Sequence, residues 1–274
     1  MTTDVPGRNE LSPLEVRDRL ALFVSVGGLV AVSWLYLIAM GNDMGNEMGN
    51  DMGAKMHGMA LGVKQWVLSD FINQFLVWAV MMVAMMVPTA SRSILILAQI
   101  AAVQKRRGRP YVSGLWFTAG YAIAWTGFSV IATCLQWGLD QAALLSVHLV
   151  LISPALGAGV IIVAGFWQLT PMKDACLRHC QSPSHFLAKY FRPGYWGAIA
   201  LGLLHGLYCL GCCWILMGLL FVGGVMNLAW ILIITLFVLI EKLLPAEARL
   251  SKLSGIGMIL AGWGYMYFWI WNSY

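Results

Sequence analysis

The sequence predicts an all-α fold: a polytopic transmembrane helical bundle of about seven spans, with the N-terminus in the cytoplasm and the C-terminus outside. Three observations carry this. Of 274 residues, 60% are hydrophobic and only 11% charged, with a mean hydropathy of +0.75, whereas a soluble domain uses about 25% charged residues to cover its surface. The charged residues cluster between long apolar runs, as in helices threaded through lipid, where each backbone N–H and C=O is bonded inside its own segment. Those runs are about twice the 9–11 residues of a barrel strand, so the segments are helical.

The elements follow in order. Residues 1–19 are read as a cytoplasmic tail and 20–40 as the first transmembrane helix, too long for a signal-peptide core and followed by no small-residue cleavage site. Residues 41–70 form an external Met/Gly/Asn-rich loop, and 71–274 a six-helix membrane domain. Within that domain the second span starts near Phe71 and continues past Pro88 toward Val103, longer than the membrane, so that a kink at the proline or an exit into water is expected. The third runs from about Val112 to Gln136. The fourth runs from Val147 to Leu169, where Thr170-Pro171 stops it. The fifth covers Gly197 to Val222, the sixth Asn227 to Leu244 and the seventh Leu253 to Trp271. Ala198, Gly202 and Gly206 recur every fourth residue, marking a face where two helix backbones can approach closely.

Basic residues set the orientation. Arg8, Arg17 and Arg19 precede the first span, and Lys105, Arg106, Arg107 and Arg109 separate the second and third. Lys173, Arg178, Lys189 and Arg192 follow the fourth, and Lys242, Arg249 and Lys252 follow the sixth. The opposite side holds little beyond Lys55 and Lys64. The positive-inside rule then gives N-in, C-out. A net charge of +5 placed in these short loops needs no nucleic-acid partner. Soft metal ligands stand out instead, in four groups.

His205, Cys209 and Cys212 fall within about 60° of helix arc, with Cys213 about 40° beyond Cys209. A histidine and three thiols thus share one face in mid-span, where polar groups are costly and mark function. Thiolate and imidazole suit Cu(I), Zn(II) or an iron–sulfur centre. Met81, Met82, Met85 and Met86 precede Pro88; their thioethers favour Cu(I), though such methionines also serve as packing. Counted from the external ends of their spans, Met81 and Met85 lie about 15–21 Å deep and the fifth-span cysteines about 14–20 Å. The two groups meet if their helices are neighbours. The external loop repeats methionine at Met44, Met48, Met52 and Met56, beside His57 and Met59, in a Gly/Asn-rich and hence flexible setting. It reads either as a copper-collecting segment or as a hydrophilic linker. Cys176 and Cys180 lie four apart in the cytoplasmic loop, on one face if that loop is helical, with His179 adjacent; the group reads as a metal or redox site. Cys134, alone in the third span, reads as packing.

Three motifs resemble a bacterial family of predicted metal-binding integral membrane proteins of unknown function. They are Met81-Met82-x-Ala84-Met85-Met86-x-Pro88, the run from Gln168-Leu169-Thr170-Pro171 to Ser182-Pro183 with Lys173, Cys176 and Cys180, and His205-Gly206-x-Tyr208-Cys209-x-Gly211-Cys212-Cys213-Trp214. Phe221 to Asn227 and Glu241-Lys242 fit too. The resemblance covers roughly Phe71 onward and implies a multi-pass protein of the bacterial inner membrane; the methionine-repeat loop is outside its pattern.

The expected function is copper handling, transport or delivery of Cu(I) through soft Met, Cys and His ligands, with zinc or no metal as the alternative. The expected partners are the lipid bilayer, the metal ion and a partner membrane or periplasmic protein. A membrane redox enzyme, either a thiol oxidoreductase or a metal-dependent oxidase, and a structural subunit remain as alternatives. No P-loop is present to drive pumping with ATP.

Overall fold

The computed structural model describes residues 16–55, 66–106, 108, 114–146, 149–192, 194–244 and 250–273. They form α1 (Val16–Lys55), α2 (Leu68–Arg106), α3 (Gly114–Gln141), α4 (Pro154–Gln168), α5 (Pro171–Gln181), α6 (Pro183–Tyr190), α7 (Tyr195–Gly218), α8 (Leu220–Gly223), α9 (Leu228–Leu243) and α10 (Leu250–Ser273). Among the described residues there is no strand, only one isolated bridge between Leu145 and Leu151.

Among the described residues, five helical segments are long and apolar enough to cross a membrane: Phe23–Asn42, Leu68–Lys105, Gly114–Gln141, Tyr195–Gly223 and Leu250–Trp271. The expected fourth and sixth spans are helical but short, with 15 residues in α4 and 16 in α9, against about 20 for an upright crossing. The reason for α4 is local. Thr170 accepts a hydrogen bond from Lys173 N at 3.3 Å and Pro171 occupies the first helical position, the pattern that starts a helix rather than ending a chain segment. Thr170-Pro171 therefore opens α5, bent by 66° from α4. The reading of that segment as a loop is corrected to a helix.

A second difference lies in the Met/Gly/Asn-rich segment. The α1 backbone stays helical through Lys55, so Met44, Met48 and Met52 stand on a helix rather than in a flexible loop. Met56, His57 and Met59 lie outside the described residues.

Two close crossings organise the bundle. At the first, α3 meets α7 over glycine. A Cβ at Gly202 would lie 2.0 Å from Phe117 O, one at Gly120 2.1 Å from Ile199 O, and one at Gly206 2.6 Å from the Ala124 methyl. The Ala198/Gly202/Gly206 stripe is thus the contact face. At the second, α4 meets α10: a Cβ at Gly165 would come within 2.7 Å of Gly255 O, and one at Gly262 within 2.5 Å of Ile162. Helix α2 covers α3, and α5 lies on α7. Between α7 and α9 the chain turns at Gly224, whose φ of 96° suits glycine. Asn227 caps α9 by accepting from Trp230 N at 3.2 Å, and Trp230 Nε1 donates to Leu219 O at 2.7 Å. That fixes the start of α9, and its far end brings Lys242 to Cys209 on α7.

Candidate metal centre

Helix α7 delivers its three cysteines inward. Cys209 is 1% exposed, and Cys212 and Cys213 are fully buried. Thr170-Pro171 turns α5 back across α7, and the Cys180 thiol, also buried, faces Cys209 and Cys212. Cys213 is the near neighbour of Cys209 and Cys212. Four thiols from two helices therefore converge, joining two groups that are 29 to 33 residues apart in sequence. The thiols of Cys212 and Cys213 donate to Cys209 O at 2.9 and 3.1 Å. Among the described residues no three His, Cys, Asp or Glu side chains are already disposed around one point to hold a metal.

Two neighbours of Cys209 escape a reading of metal ligands from sequence. Lys242 Nζ stands 2.7 Å from Cys209 Sγ and 3.1 Å from Thr89 Oγ1. Tyr121 Oη lies 3.0 Å from the same sulfur and donates to Met86 O at 3.0 Å. Lys242 is only 5% exposed, so counting it as a loop cation is corrected. An ammonium buried in an apolar bundle is costly unless a negative partner faces it. Lys173, also counted as a loop cation, is fully buried and pairs with Glu241, whose Oε1 accepts a second hydrogen bond from Ser251 at 2.7 Å. Gln181 Nε2 donates to Glu241 O at 3.0 Å and Leu244 O at 2.9 Å. Helix α5 is thereby fastened to α9 at both of its ends, which holds Cys180 against α7. The adjacent residues Glu241 and Lys242 point about 100° apart on α9, one to the clamp and one to the thiols.

His205 occupies a different setting. It sits among Phe117, Tyr121 and Phe186, with ring centroids 5.6, 5.9 and 5.2 Å away. Its Nε2 is 3.2 Å from Ser93 Oγ, while Nδ1 has no partner. Met81, Met82, Met85 and Met86 are all fully buried in α2. The level of Met86 matches that of Cys209, because Tyr121 touches both. What meets the thiol region there is the Met86 carbonyl, reached through α3.

Cys176 and His179 stay at the half-exposed edge of α5. Cys176 Sγ lies over Gly211, where a Cβ would be 2.9 Å from the sulfur. His179 stacks on Tyr208 with centroids 4.3 Å apart and planes 2° from parallel. Cys134 is exposed on α3, away from this group.

Thiol sulfurs beside a buried lysine are soft donors, of a kind that suits a soft monovalent ion better than a hard cation. No curated protein and no solved structure matches the chain. Residues 75–266, well over half of the 274, match the model of the PpoB2 family, copper chaperone, and the chain belongs to that family.

Proposed function

We propose that this chain is a multi-pass membrane protein that holds Cu(I) at Cys180, Cys209, Cys212 and Cys213 and passes it on to a partner. The observation that carries this is the convergence of Cys180 from α5 with the α7 thiols beside the Lys242 ammonium. Charge counting supports it. Cu(I) bound by two thiolates carries one negative charge, and Lys242 neutralises it where a bare charge costs several kcal/mol. Copper is cargo here, so two thiolates at a time, drawn from the four cysteines and exchangeable among them, serve better than a closed four-ligand site.

The membrane setting rests on the outward faces. Phe23, Leu35, Leu115, Ile131, Trp196 and Leu260 are each about half to two-thirds exposed, and such continuous apolar cover is a liability in water. Seven crossings are retained by reading α4 with α5 as one bent crossing and α9 as a short, tilted one. With Lys173 and Lys242 removed from the count, this reading still assigns Lys105, Arg106, Arg178, Lys189, Arg192 and Lys252 to one side, and the positive-inside rule then puts the N-terminus in the cytoplasm of a bacterial inner-membrane protein. Met44, Met48, Met52, Met56 and His57 then stand outside, as a first collecting point for copper.

Copper content of detergent-purified protein tests the reading, measured by elemental mass spectrometry after loading with Cu(I) and desalting. Wild type is expected to retain about one copper per chain. Cys209→Ser/Cys212→Ser is expected to lose it while staying monodisperse. A metal load that the double variant leaves unchanged rules the thiol cluster out. Metal-free wild type that instead loses two free thiols under mild oxidation moves the reading to thiol oxidoreductase chemistry.

A further inference from the structure

Cys176 and His179 are left unused by the buried cluster, and their geometry is that of a site rather than of packing. His179 Nδ1 donates to Ala175 O at 2.8 Å. A carbonyl can only accept, so the neutral ring carries its lone pair on Nε2, the arrangement that prepares histidines to bind metal. Stacking on Tyr208 fixes the ring plane. Cys176 is three residues before His179 on α5, and the surfaces they rest on, Gly211 and Tyr208, are three residues apart on α7. Side chains at this spacing share one face of a helix. The missing Cβ of Gly211 is what admits the Cys176 sulfur, since any larger residue would push it off α7.

The next residue along each helix belongs to the buried cluster. Cys180 follows His179, Cys212 follows Gly211, and Cys176 lies near Cys212. Exposure runs the same way: Cys176 and His179 are half-buried, Cys180 and Cys212 buried. We infer that Cys176 and His179 form a second, two-coordinate Cu(I) site at the rim of the bundle, a port through which copper exchanges between the buried thiols and ligands in water. This rests on the copper reading of the buried cluster. Each step exchanges one copper–ligand bond for another. The Cys176 thiol gives its proton to water as its S–Cu bond forms and recovers one as the bond breaks. Copper remains Cu(I), and no electron moves. A sulfur–nitrogen pair holds Cu(I) less firmly than several thiolates, as a port requires.

The test is the rate at which loaded protein in detergent gives copper to excess bathocuproine disulfonate, followed by absorbance of the chelate. Cys176→Ser and His179→Gln are each expected to slow release at least about tenfold, a barrier increase of about 1.4 kcal/mol. The double variant is expected to be no slower than the slower single, because both ligands act on one ion. Copper retained before chelator is added stays near the wild-type value. Unchanged rates, or slowing that multiplies in the double variant, overturn the port. A second measurement separates this from the buried cluster. In the Cys209→Ser/Cys212→Ser background, X-ray absorption of protein held in Cu(I) is expected to show copper with one sulfur and one nitrogen. That signal disappears on adding Cys176→Ser. Its absence in the background itself sinks the port, whereas wild type that keeps no copper after desalting, with the rim signal still present in the Cu(I)-held background, sinks only the buried cluster.

Discussion

The two glycine crossings, α3 with α7 and α4 with α10, use the same packing device to different ends. At both, a Cβ would strike the opposing backbone within 3 Å. Around α3 and α7, however, the helices also bury Tyr121, His205, Cys209, Cys212 and Cys213, with Lys242 brought in from α9. Around α4 and α10 the buried polar groups are Gln168, whose amide has no partner, and Ser251, which serves the Lys173–Glu241 pair. Close helix approach alone therefore marks scaffold. Function is marked where ionisable or soft groups are carried into the crossing, because only there has burial cost been accepted without being needed for packing.

Forcing each crossing apart breaks the comparison with the largest effect. Gly202→Leu drives a side chain into Phe117 O and separates α3 from α7. The expected result is loss of monodisperse protein and, in any folded remainder, loss of bound copper. Gly262→Leu is expected to lower stability by about 1–3 kcal/mol, the usual overpacking cost, while copper per folded molecule stays near wild type. Size-exclusion chromatography with copper analysis of the folded peak reads both. Equal copper loss in the two variants would show that the α4–α10 half also shapes the site.

The Lys173–Glu241 pair gives the intermediate effect. Glu241→Gln leaves the fully buried Lys173 facing a neutral amide, and breaking a buried pair in this way costs about 3–5 kcal/mol. Replacing both, Lys173→Met with Glu241→Leu, removes the uncompensated charge and is expected to restore most of that loss. Thermal unfolding in detergent measures both. Because the pair also fastens α5, copper retention is expected to fall in Glu241→Gln and to stay low in the double variant, despite its recovered stability. Recovery of copper along with stability would mean that the clamp does not position Cys180.

How much of this was legible in the sequence differs between the two halves of the problem. Helix positions followed from apolar runs, and the α7 stripe of Ala198, Gly202 and Gly206 announced its contact face. The thiol face of α7 was readable too, from the 100° step alone. The addition of Cys180 was not, since it depends on a 66° bend at Leu169-Thr170 whose local signal, Thr-Pro, serves equally to end one helix and to begin another. Lys173 and Lys242 were misplaced for a related reason. Each lies near the end of an apolar run, where a loop cation belongs. What overrides that is a partner 68 residues away for Lys173 and 33 for Lys242. Pairing at such separations leaves no local trace. His205 shows the converse: it shares the helix face of Cys209, yet aromatic rings from α3 and α6 enclose it.

The smallest effect is the sharpest test of whether glycine in α10 is there for approach or by default. Gly255 and Gly257 are two residues apart, so their Cα–H bonds point about 160° away from each other. A Cβ at Gly255 would meet the Gln168 Cβ at 2.8 Å and Gly165 O at 2.9 Å, while one at Gly257 meets nothing within 4 Å. Gly255→Ala must therefore push α4 away, whereas Gly257→Ala only removes the backbone freedom of glycine, which is worth up to about 1 kcal/mol in a helix. The expected outcome is a lowered melting temperature for Gly255→Ala and an unchanged or slightly raised one for Gly257→Ala, read in parallel by the same thermal scan. A matching drop in both would place a neighbour against the outer face of α10, since among the described residues nothing stands there for the new methyl to strike.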